Sequence, residues 1–366
     1  MTSLFSPLAL RGLTLRNRLG LPPMSQYSAE PGRHTANAWH LHHYAARALG
    51  VGVVIVEATA VSPHALVTPN DLGLWTDAHQ HSLAAVAEAI TAGGAVSALQ
   101  LCHGGRKASR TRPWDGDIAL DPERGGWPVL GPSPIPFAPG YPTPREASTA
   151  DLARVVDDFA AAARRAAAAG FEMVELHAGH GRLLHSFLSP VANQRTDHYG
   201  GSFDNRARLL LETVAAVRAV WPAHLPLAVR LSCEDHEAGA WELADTVRLA
   251  ALLRTAGVDL IDCTSGGIRR PQTYRPTPGY QVRYAAEVRR QTGIATAAVG
   301  LITTVDQART ILAQDQADLV LMGRRLLVDP ALPWRQIHRG GAPDLVPAQY
   351  RRALETVPAA DVQPEL

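Results

Sequence analysis

Eight short apolar segments recur along the chain, and each is followed by a loop and then by a segment with helical spacing. Strands that alternate with helices pair in parallel, and eight such units can close into a barrel. The predicted strands are Leu19–Met24, Gly52–Glu57, Ala95–Leu101, Met173–His177, Leu227–Leu231, Leu260–Asp262, Thr296–Val299 and Leu319–Met322. The pattern predicts an α/β fold, a (β/α)8 barrel with its active site at the carboxyl ends of the strands.

Three helices are the clearest because Ala, Leu and Arg alternate faces with a period near four: Leu83–Ala92, Ala150–Ala169 and Phe203–Val220. The 366 residues, 46% of them hydrophobic, suffice for one large core, so we expect a single domain over residues 1–366. Two segments depart from the repeat. Residues 104–144, rich in Gly, Pro, Trp and Arg, form a long insertion after strand three that is expected to cap the site, and residues 339–366 form a C-terminal tail.

Charge and cysteine content exclude several classes of protein. The chain has 35 Lys and Arg residues against 34 Asp and Glu residues, a net charge of +1. A nucleic-acid-binding protein usually carries a clear excess of positive charge, which this chain does not have. The sequence shows no apolar run of membrane-spanning length and no secretion signal, and Cys102, Cys233 and Cys263 are too few for a disulfide framework. We therefore expect a cytoplasmic enzyme that acts on a small molecule, with neither nucleic acid nor membrane as a partner.

The carboxyl ends of the predicted strands carry two kinds of polar group. Gly300, Gly323 and Arg324 follow strands seven and eight, where barrels commonly bind phosphate: glycines let backbone N–H groups approach an anion, and Arg324 supplies a fixed charge. Gln100 and Arg230 are suitable partners for the electron-accepting edge of a flavin ring. Taken singly, each equally suits a strand cap or a structural ion pair.

His177 and His180 follow strand four, where two imidazoles can converge on one carbonyl or anionic oxygen and polarise it. Histidine is common in this chain, so the position of the pair carries the argument rather than its spacing. A metal site is the alternative, but no third ligand follows at zinc-like spacing, and we expect no metal. His40 and His43 lie on a predicted helix and are interpreted as structural.

The segment from His177 to Arg206 resembles the long signature of the Old Yellow Enzyme family; it reads HAGHGRLLHSFLSPVANQRTDHYGGSFDNR. Further matching segments lie at residues 15–18, 56–60, 105–107, 229–232, 259–262, 278–281 and 322–324. The resemblance therefore spans the whole chain.

This resemblance implies FMN held noncovalently at the barrel mouth, with NADPH or NADH as the reductant. The positions expected to contact the flavin are Pro22, Pro23, Met24, Ser25, Ala58, Gln100, Arg230, Gly300, Gly323 and Arg324. In the implied reaction, flavin N5 gives hydride to the β-carbon of an activated alkene whose carbonyl or nitro oxygen is held by His177 and His180.

Finer details resemble the thermophilic-like class of the family. Tyr27 matches the substrate tyrosine of that class, and Arg352 matches an arginine that reaches into the site of a neighbouring subunit to contact substrate. This implies a homodimer or a homotetramer, with residues 339–366 at a subunit interface.

Two positions depart from the family pattern. Ser25 stands where that class usually has a flavin-tuning cysteine, which puts the flavin potential in doubt. Arg182 stands where the family normally has a tyrosine as proton donor to the α-carbon, and a guanidinium is a poor acid, so the proton would come from water or from Tyr27. Two alternatives stay open: an FMN reductase or dehydrogenase in which Arg182 binds an anionic substrate, and a flavin-binding protein with little turnover.

Overall fold

The computed structural model describes residues 3–270, 274–339 and 346–356 of the chain. Eight parallel strands form a closed barrel in chain order, and the last strand pairs with the first through Val320 and Leu19. The strands are β1 (Leu19–Leu21), β2 (Val53–Ala60), β3 (Val96–Cys102), β4 (Met173–Ala178), β5 (Leu227–Ser232), β6 (Leu260–Thr264), β7 (Ala295–Ala298) and β8 (Leu319–Leu321). The predicted barrel is confirmed, and every predicted strand overlaps an observed one.

Strand boundaries differ from the prediction where local chemistry intervenes. β1 ends at Leu21 rather than at Met24, because Pro22 and Pro23 have no N–H group for the ladder. β2 continues beyond Glu57 to Ala60, and its register against β3 shifts between Val56 and Thr59. Such an irregularity re-aims side chains at the rim of a barrel, and it places Glu57 and Ala58 there.

At least one helix follows each strand. The helices are α1 (Ala38–Ala48), α2 (Asp77–Ala92), α3 (Thr149–Ala168), α4 (Leu183–Leu188), α5 (Phe203–Val220), α6 (Leu243–Thr255), α7 (Val282–Thr292), α8 (Val305–Ala313), α9 (Arg324–Val328), α10 (Leu332–Arg339) and α11 (Ala348–Thr356). α2 begins before the predicted Leu83, because the Thr76 hydroxyl caps it by accepting from the His79 backbone N–H. None of the described helices combines the length and apolar content that crossing a bilayer requires.

The core has two layers, because each parallel strand is buried on both faces. In β2, Val54 and Val56 pack outward against the helical layer, while Val53 and Ile55 fill the barrel interior. An N-terminal hairpin of Leu8–Leu10 and Leu13–Leu15, which the repeat does not predict, contributes leucines to the interior cluster. It packs with residues from the starts of the strands, so the carboxyl end of the barrel is the open one.

The segment between β3 and α3 is built from short turns. Single 3-10 turns occur at Gly105–Lys107, Pro113–Asp115 and Pro122–Arg124, and a two-residue ladder joins Leu130–Gly131 to Arg145–Glu146. Trp114, in the second turn, meets the Tyr27 ring edge-on with centroids 5.5 Å apart. This segment therefore reaches the loop that follows β1 at the barrel mouth.

Candidate active site

Two histidines stand side by side at the end of β4. His177 lies in the strand and His180 in the turn after it, with ring centroids 5.4 Å apart in an edge-to-face arrangement. Four backbone N–H groups in and after the turn donate hydrogen bonds: Gly179 to His177 Nδ1, His180 to Ser232 Oγ, Gly181 to His185 Nδ1 and Leu183 to the His103 carbonyl oxygen. These bonds hold His180 at φ 53°, a left-handed conformation that costs a non-glycine residue energy.

The protonation of His177 follows from its contacts. Burial lowers the pKa of His177 well below its usual value, and the charges of His180 and Arg182 lower it further. The ring is therefore neutral near pH 7 and carries one proton. Because Nδ1 accepts from Gly179 N at 3.3 Å, that proton lies on Nε2, so His177 presents an N–H donor to the mouth.

His180 is neutral for the same reason: burial lowers its pKa well below the usual value, and the charges of Arg230 and Lys107 add to the effect. Its Nε2 lies 2.8 Å from the hydroxyl oxygen of Thr264, at the end of β6. That contact occupies one ring nitrogen and leaves Nδ1 for another partner. The nitrogen that faces a ligand therefore depends on a residue 84 positions along the chain.

A cavity of about 180 Å³ lies between the ends of the later strands. Its lining joins His180 and Arg230 to Gly300, Gly323 and Arg324. Gly300 has φ 119°, and a Cβ atom there would lie 2.7 Å from Gln281 Oε1, so the loop after β7 requires glycine. The structure thus brings the three predicted phosphate-binding residues into one cavity with one of the histidines.

Gln100 and Arg230 are each oriented by a buried acid. Gln100 Nε2 donates to Glu175 Oε1 at 2.7 Å, and Arg230 Nε forms an ion pair with Asp262 Oδ2 at 3.0 Å. Burial raises the pKa of both carboxyl groups, the negative charge of Asp262 adds to the effect on Glu175, and Arg230 opposes it. The two side chains are therefore held as a fixed polar surface under the mouth.

The loop after β1 supplies the remaining predicted flavin contacts. Pro22 and Pro23 are buried, whereas Met24, Ser25 and, on β2, Ala58 keep part of their surface open. The glycine backbone after β8 also meets this loop, because a Cβ atom on Gly323 would lie 3.1 Å from Met24 Sδ. The residues predicted to line one side of a flavin thus adjoin the predicted phosphate cavity.

Tyr27 lies in the same loop in a left-handed conformation, with φ 51°. Burial raises the pKa of its hydroxyl, although the Arg182 charge and a hydrogen bond with Ser25 oppose the shift. Beneath it, the oxygens of the Glu57 carboxyl group accept from Gln26 N at 2.7 Å, from Tyr27 N, and from the Tyr44 hydroxyl at 3.0 Å. Glu57 therefore fixes the backbone that presents Tyr27.

Arg182 directly precedes α4 and is partly buried. Its Nε and Nη1 atoms are inaccessible to solvent and have no hydrogen-bond partner within the described chain. Its charge acts on the pKa values of Tyr27, His177 and His180, so the guanidinium lies near all three residues. Arg352, by contrast, is exposed on α11 and is not among the residues that line the mouth cavity.

The other two histidines considered in the sequence, and the three cysteines, are buried. His40 and His43 are buried in α1, and His40 completes the helix cap with Asn37, so the interpretation of these two as packed structural residues is confirmed. All three cysteines are free and buried. Among residues 3–270, 274–339 and 346–356, no group of three or more metal-ligating side chains gathers.

Sequence reasoning assigned no role to four polar residues that the structure places around the site: Glu57, Glu175, Thr264 and Asp262. Each lies in a barrel strand and is fully buried. A charged residue within an apolar strand is a usable signal, because such a group is almost never buried without a partner. Thr264 follows the predicted sixth strand at its carboxyl end, where functional side chains meet, but its residue type gave no indication of a role because threonine is common in strands.

The chain matches a known protein family along almost its whole length. The model of the NADH:flavin oxidoreductase / NADH oxidase family matches residues 3–340. An NADPH dehydrogenase from Geobacillus thermodenitrificans is 42% identical over 352 residues, which cover 96% of this chain and 98% of the relative. An NADPH dehydrogenase from Bacillus subtilis is 40% identical over 350 residues, or 95% and 98% of the two chains.

Solved structures give the same grouping. Morphinone reductase aligns with a TM-score of 0.77 at 28% identity, over 94% of this chain and 93% of the other. The Old Yellow Enzyme homologue from Zymomonas mobilis aligns with a TM-score of 0.77 at 26% identity, over 92% and 93% of the two chains. Both cover nearly the whole of the barrel described above.

Proposed function

Because the chain belongs to the NADH:flavin oxidoreductase / NADH oxidase family and is an NAD(P)H-dependent, FMN-using enzyme, we propose that it reduces the C=C bond of α,β-unsaturated carbonyl or nitro compounds. One observation carries the proposal: two neutral imidazoles, His177 buried and His180 partly buried, stand 5.4 Å apart at the open end of the barrel. Paired neutral donors stabilise negative charge on one oxygen, and that charge develops when an alkene conjugated to the oxygen accepts hydride.

The residues present fit FMN. Gly300, Gly323 and Arg324 would hold the phosphate, since they line one cavity and Gly300 leaves no room for a Cβ atom. Gln100 and Arg230, held by their buried acids, would bind the pyrimidine edge of the ring. When bound, FMN supplies hydride transfer from NAD(P)H to the substrate.

The histidines would bind the substrate oxygen through His177 Nε2 and His180 Nδ1. Because both rings are neutral, they donate hydrogen bonds without delivering a proton to that oxygen. The proton for the α-carbon would come from water or from Tyr27, whose raised pKa keeps the hydroxyl protonated near neutral pH. Trp114 and Tyr27 would cover the substrate on the open side, since their rings are in contact.

The test is an anaerobic titration of the purified holoenzyme with NADPH, followed by reoxidation with maleimide, cyclohexenone and a nitroalkene in separate stopped-flow experiments. Bleaching by NADPH and reoxidation by at least one alkene, with the saturated product recovered, are expected. A protein that NADPH reduces but that no alkene reoxidises would contradict the proposed substrate class. Failure of NADPH to bleach the flavin would instead favour a binding protein with little turnover.

A ligand titration tests the anchoring role separately. p-Hydroxybenzaldehyde should bind as the phenolate and produce a long-wavelength absorption band, and replacing both His177 and His180 by Ala should abolish it. His43→Ala is the matched control, because His43 is also a buried neutral histidine but lies in α1, outside the site. If the double variant keeps both the band and the affinity, the histidines do not hold the oxygen.

A further inference from the structure

We infer that Arg182 binds a carboxylate of the substrate, so that the preferred substrates are activated alkenes that carry an acidic group beside the oxygen held by His177 and His180. The inference deepens the proposed function and rests on it. It starts from the two buried nitrogens of Arg182, Nε and Nη1, which have no hydrogen-bond partner in the described chain.

Unpartnered charged donors are costly when they are buried, so most buried cations are paired. Arg195 shows the usual arrangement in this protein: its guanidinium pairs with Asp197 and also donates to the Ala147 carbonyl at 2.7 Å. Arg182 forms no such contacts through Nε or Nη1 within the described residues. A guanidinium with two buried, unpaired nitrogens lacks hydrogen-bond acceptors, and a carboxylate that reaches Arg182 would supply them.

The nearby acid does not satisfy Arg182. Asp71 is buried and responds to the Arg182 charge, but its carboxylate accepts from the Thr68 hydroxyl at 2.7 Å and from the backbone N–H groups of Thr68 and Val67. Those three bonds hold Asp71 within its own loop. The Asp71 charge thus lies near Arg182, but Asp71 accepts no hydrogen bond from Arg182 Nε or Nη1.

Lys107 is a second basic residue near the mouth, although burial lowers the pKa of its side chain well below the usual value and the Arg182 charge lowers it further. Lys107 Nζ donates to the carbonyl oxygens of His180 at 2.9 Å and Gly267 at 3.4 Å, and it lies 4.2 Å from the centroid of the Phe137 ring. Lys107 thus has partners for its side-chain nitrogen, whereas Arg182 Nε and Nη1 have none within the described residues.

A carboxylate suits these donors better than the other common anions. The guanidinium is planar and rigid and forms two parallel hydrogen bonds to a planar carboxylate, whereas a phosphate would present three oxygens to a single arginine. The substrate would then be held at two points, its carbonyl or nitro oxygen by the histidines and its carboxylate by Arg182. Two-point binding selects both the charge and the orientation of the alkene.

The experiment measures binding to the FMN-loaded enzyme, both by long-wavelength absorption and by calorimetry. The ligands are 2-, 3- and 4-hydroxybenzoate and the three matching hydroxybenzamides, which are neutral and of similar shape. Charge-assisted hydrogen bonds make an affinity gain of about 10-fold or more reasonable for the best-placed carboxylate over its amide. In Arg182→Gln the ratio should fall to about one, and Arg182→Lys should recover part of it.

Arg270→Gln is the matched control for a change in overall charge. Arg270 lies on the same side of the molecule, but it is exposed and paired with Asp117, so the carboxylate preference should survive its loss. The inference is overturned if no isomer binds more tightly than its amide, or if the preference persists in Arg182→Gln. It is also overturned if Arg182→Gln leaves the ligand ratios unchanged and weakens only NADPH, since the arginine would then serve the phosphates of the reductant.

Two readouts distinguish carboxylate binding by Arg182 from a purely structural role and from failure of the proposed function. The melting temperature of Arg182→Gln should be no lower than that of wild type, because Nε and Nη1 leave no partner behind in the described chain. A marked drop would assign Arg182 a structural role. Amide ligands that give the absorption band without any carboxylate preference would overturn the inference alone, whereas the absence of the band with every ligand would overturn the proposed function with it.

Discussion

At the residue scale, Thr264 illustrates how one hydroxyl sets the chemistry of another side chain. A neutral imidazole carries a single proton, and the partner of one ring nitrogen decides where that proton resides. Thr264 Oγ1 lies 2.8 Å from His180 Nε2 and 3.0 Å from the Gln281 amide group. When the Gln281 amide nitrogen faces Thr264, the hydroxyl can donate its proton to His180 Nε2 and leave His180 with N–H at Nδ1, whereas an amide oxygen at that place would take the proton instead. The second donor of the oxygen-binding pair would then depend on Thr264.

Because of this dependence, Thr264→Val should change ligand affinity without removing the ligand site. The phenolate band should persist but the affinity for p-hydroxybenzaldehyde should fall by about 10-fold, because valine preserves shape but leaves the His180 tautomer unfixed. Thr264→Ser retains the hydroxyl and should bind within about 2-fold of wild type. Spectral titration of the three holoenzymes measures the effect. Equal affinities in all three would show that Thr264 has no influence on the ring.

Glu57 gives a prediction about pH. Burial raises the pKa of its carboxyl to about 8, although bonds from the Gln26 backbone and the Tyr44 hydroxyl oppose the shift. The folded protein thus holds a proton that the unfolded chain releases above its usual pKa of 4.5. Between these values the free energy of unfolding should fall as the pH rises, by at most about 1.4 kcal/mol per pH unit from this group.

Glu57→Gln should remove that slope. Urea unfolding at pH 5, 6.5 and 8 is expected to show that wild type loses stability relative to Glu57→Gln as the pH increases. His40 and Tyr44, which contact Glu57, are unchanged in both proteins, so the difference reports on the carboxyl group. Glu30→Gln changes an exposed glutamate and serves as the control. Parallel pH profiles for wild type and Glu57→Gln would contradict a proton held by Glu57.

At the scale of elements, the loops after β7 and β8 differ in how much they tolerate a side chain. Gly300 has φ 119°, and its Cβ atom would meet the buried Gln281 at 2.7 Å. Gly323 has a negative φ of −81°, although its ψ of −91° lies beyond the usual helical range, and the nearest atom its Cβ would meet belongs to the flexible side chain of Met24, at 3.1 Å. The first loop must move to accept alanine, whereas the second needs a smaller adjustment because a flexible side chain can yield.

Affinity for FMN should reflect that difference. Gly300→Ala is expected to weaken FMN binding to the apoprotein by about 10-fold or more, and Gly323→Ala by only a few-fold, because a displaced backbone moves the N–H donors away from the phosphate. Quenching of flavin fluorescence gives both dissociation constants. Melting temperatures of the apoproteins establish that each variant is folded. The reverse order of the two effects would place the phosphate elsewhere.

At the scale of the whole molecule, exposed apolar side chains lie on the helices that flank one side of the mouth. Trp39 on α1 and Leu327 on α9 line a shared cavity of about 380 Å³, and Val328 is 79% exposed. On α11, Tyr350 packs on Trp334 with ring centroids 5.3 Å apart, two residues before Arg352. An apolar surface beside the tail is the kind that a second subunit covers.

Subunit complementation tests whether Arg352 acts in a neighbouring site. A hybrid dimer of one Arg352→Ala chain and one chain with His177 and His180 replaced by Ala should retain about half of wild-type turnover, because one of its two sites combines intact groups from both chains. Co-expression with two affinity tags isolates the hybrid. The matched control places all three changes on one chain beside a wild-type partner.

In that control every site lacks either the histidines or the arginine, so turnover should be lost. Equal activity of the two hybrids, or full activity of the Arg352→Ala protein alone, would show that Arg352 does not act across subunits. Residues 340–345 and 357–366 of the predicted interface tail lie outside the described residues, so the test rests on α11 alone.

The sequence by itself determined the barrel and the family. Strand periodicity and strand–helix alternation are local properties, so eight strands could be read from the chain without knowing their neighbours. The family signature is likewise one contiguous segment, residues 177–206, which carries both histidines and Arg182. Strand ends then predicted the side of the barrel where His177, Gln100 and Gly300 would meet.

Only the tertiary structure decided how those residues are supported. The partners of His180, Gln100 and Arg230 are Thr264, Glu175 and Asp262, which come from other strands of the barrel. Likewise, whether the Arg182 donors are satisfied depends on every segment packed around them. Hydrogen bonding and burial depend on distance in space, and closure of the barrel brings together residues that local sequence patterns cannot relate.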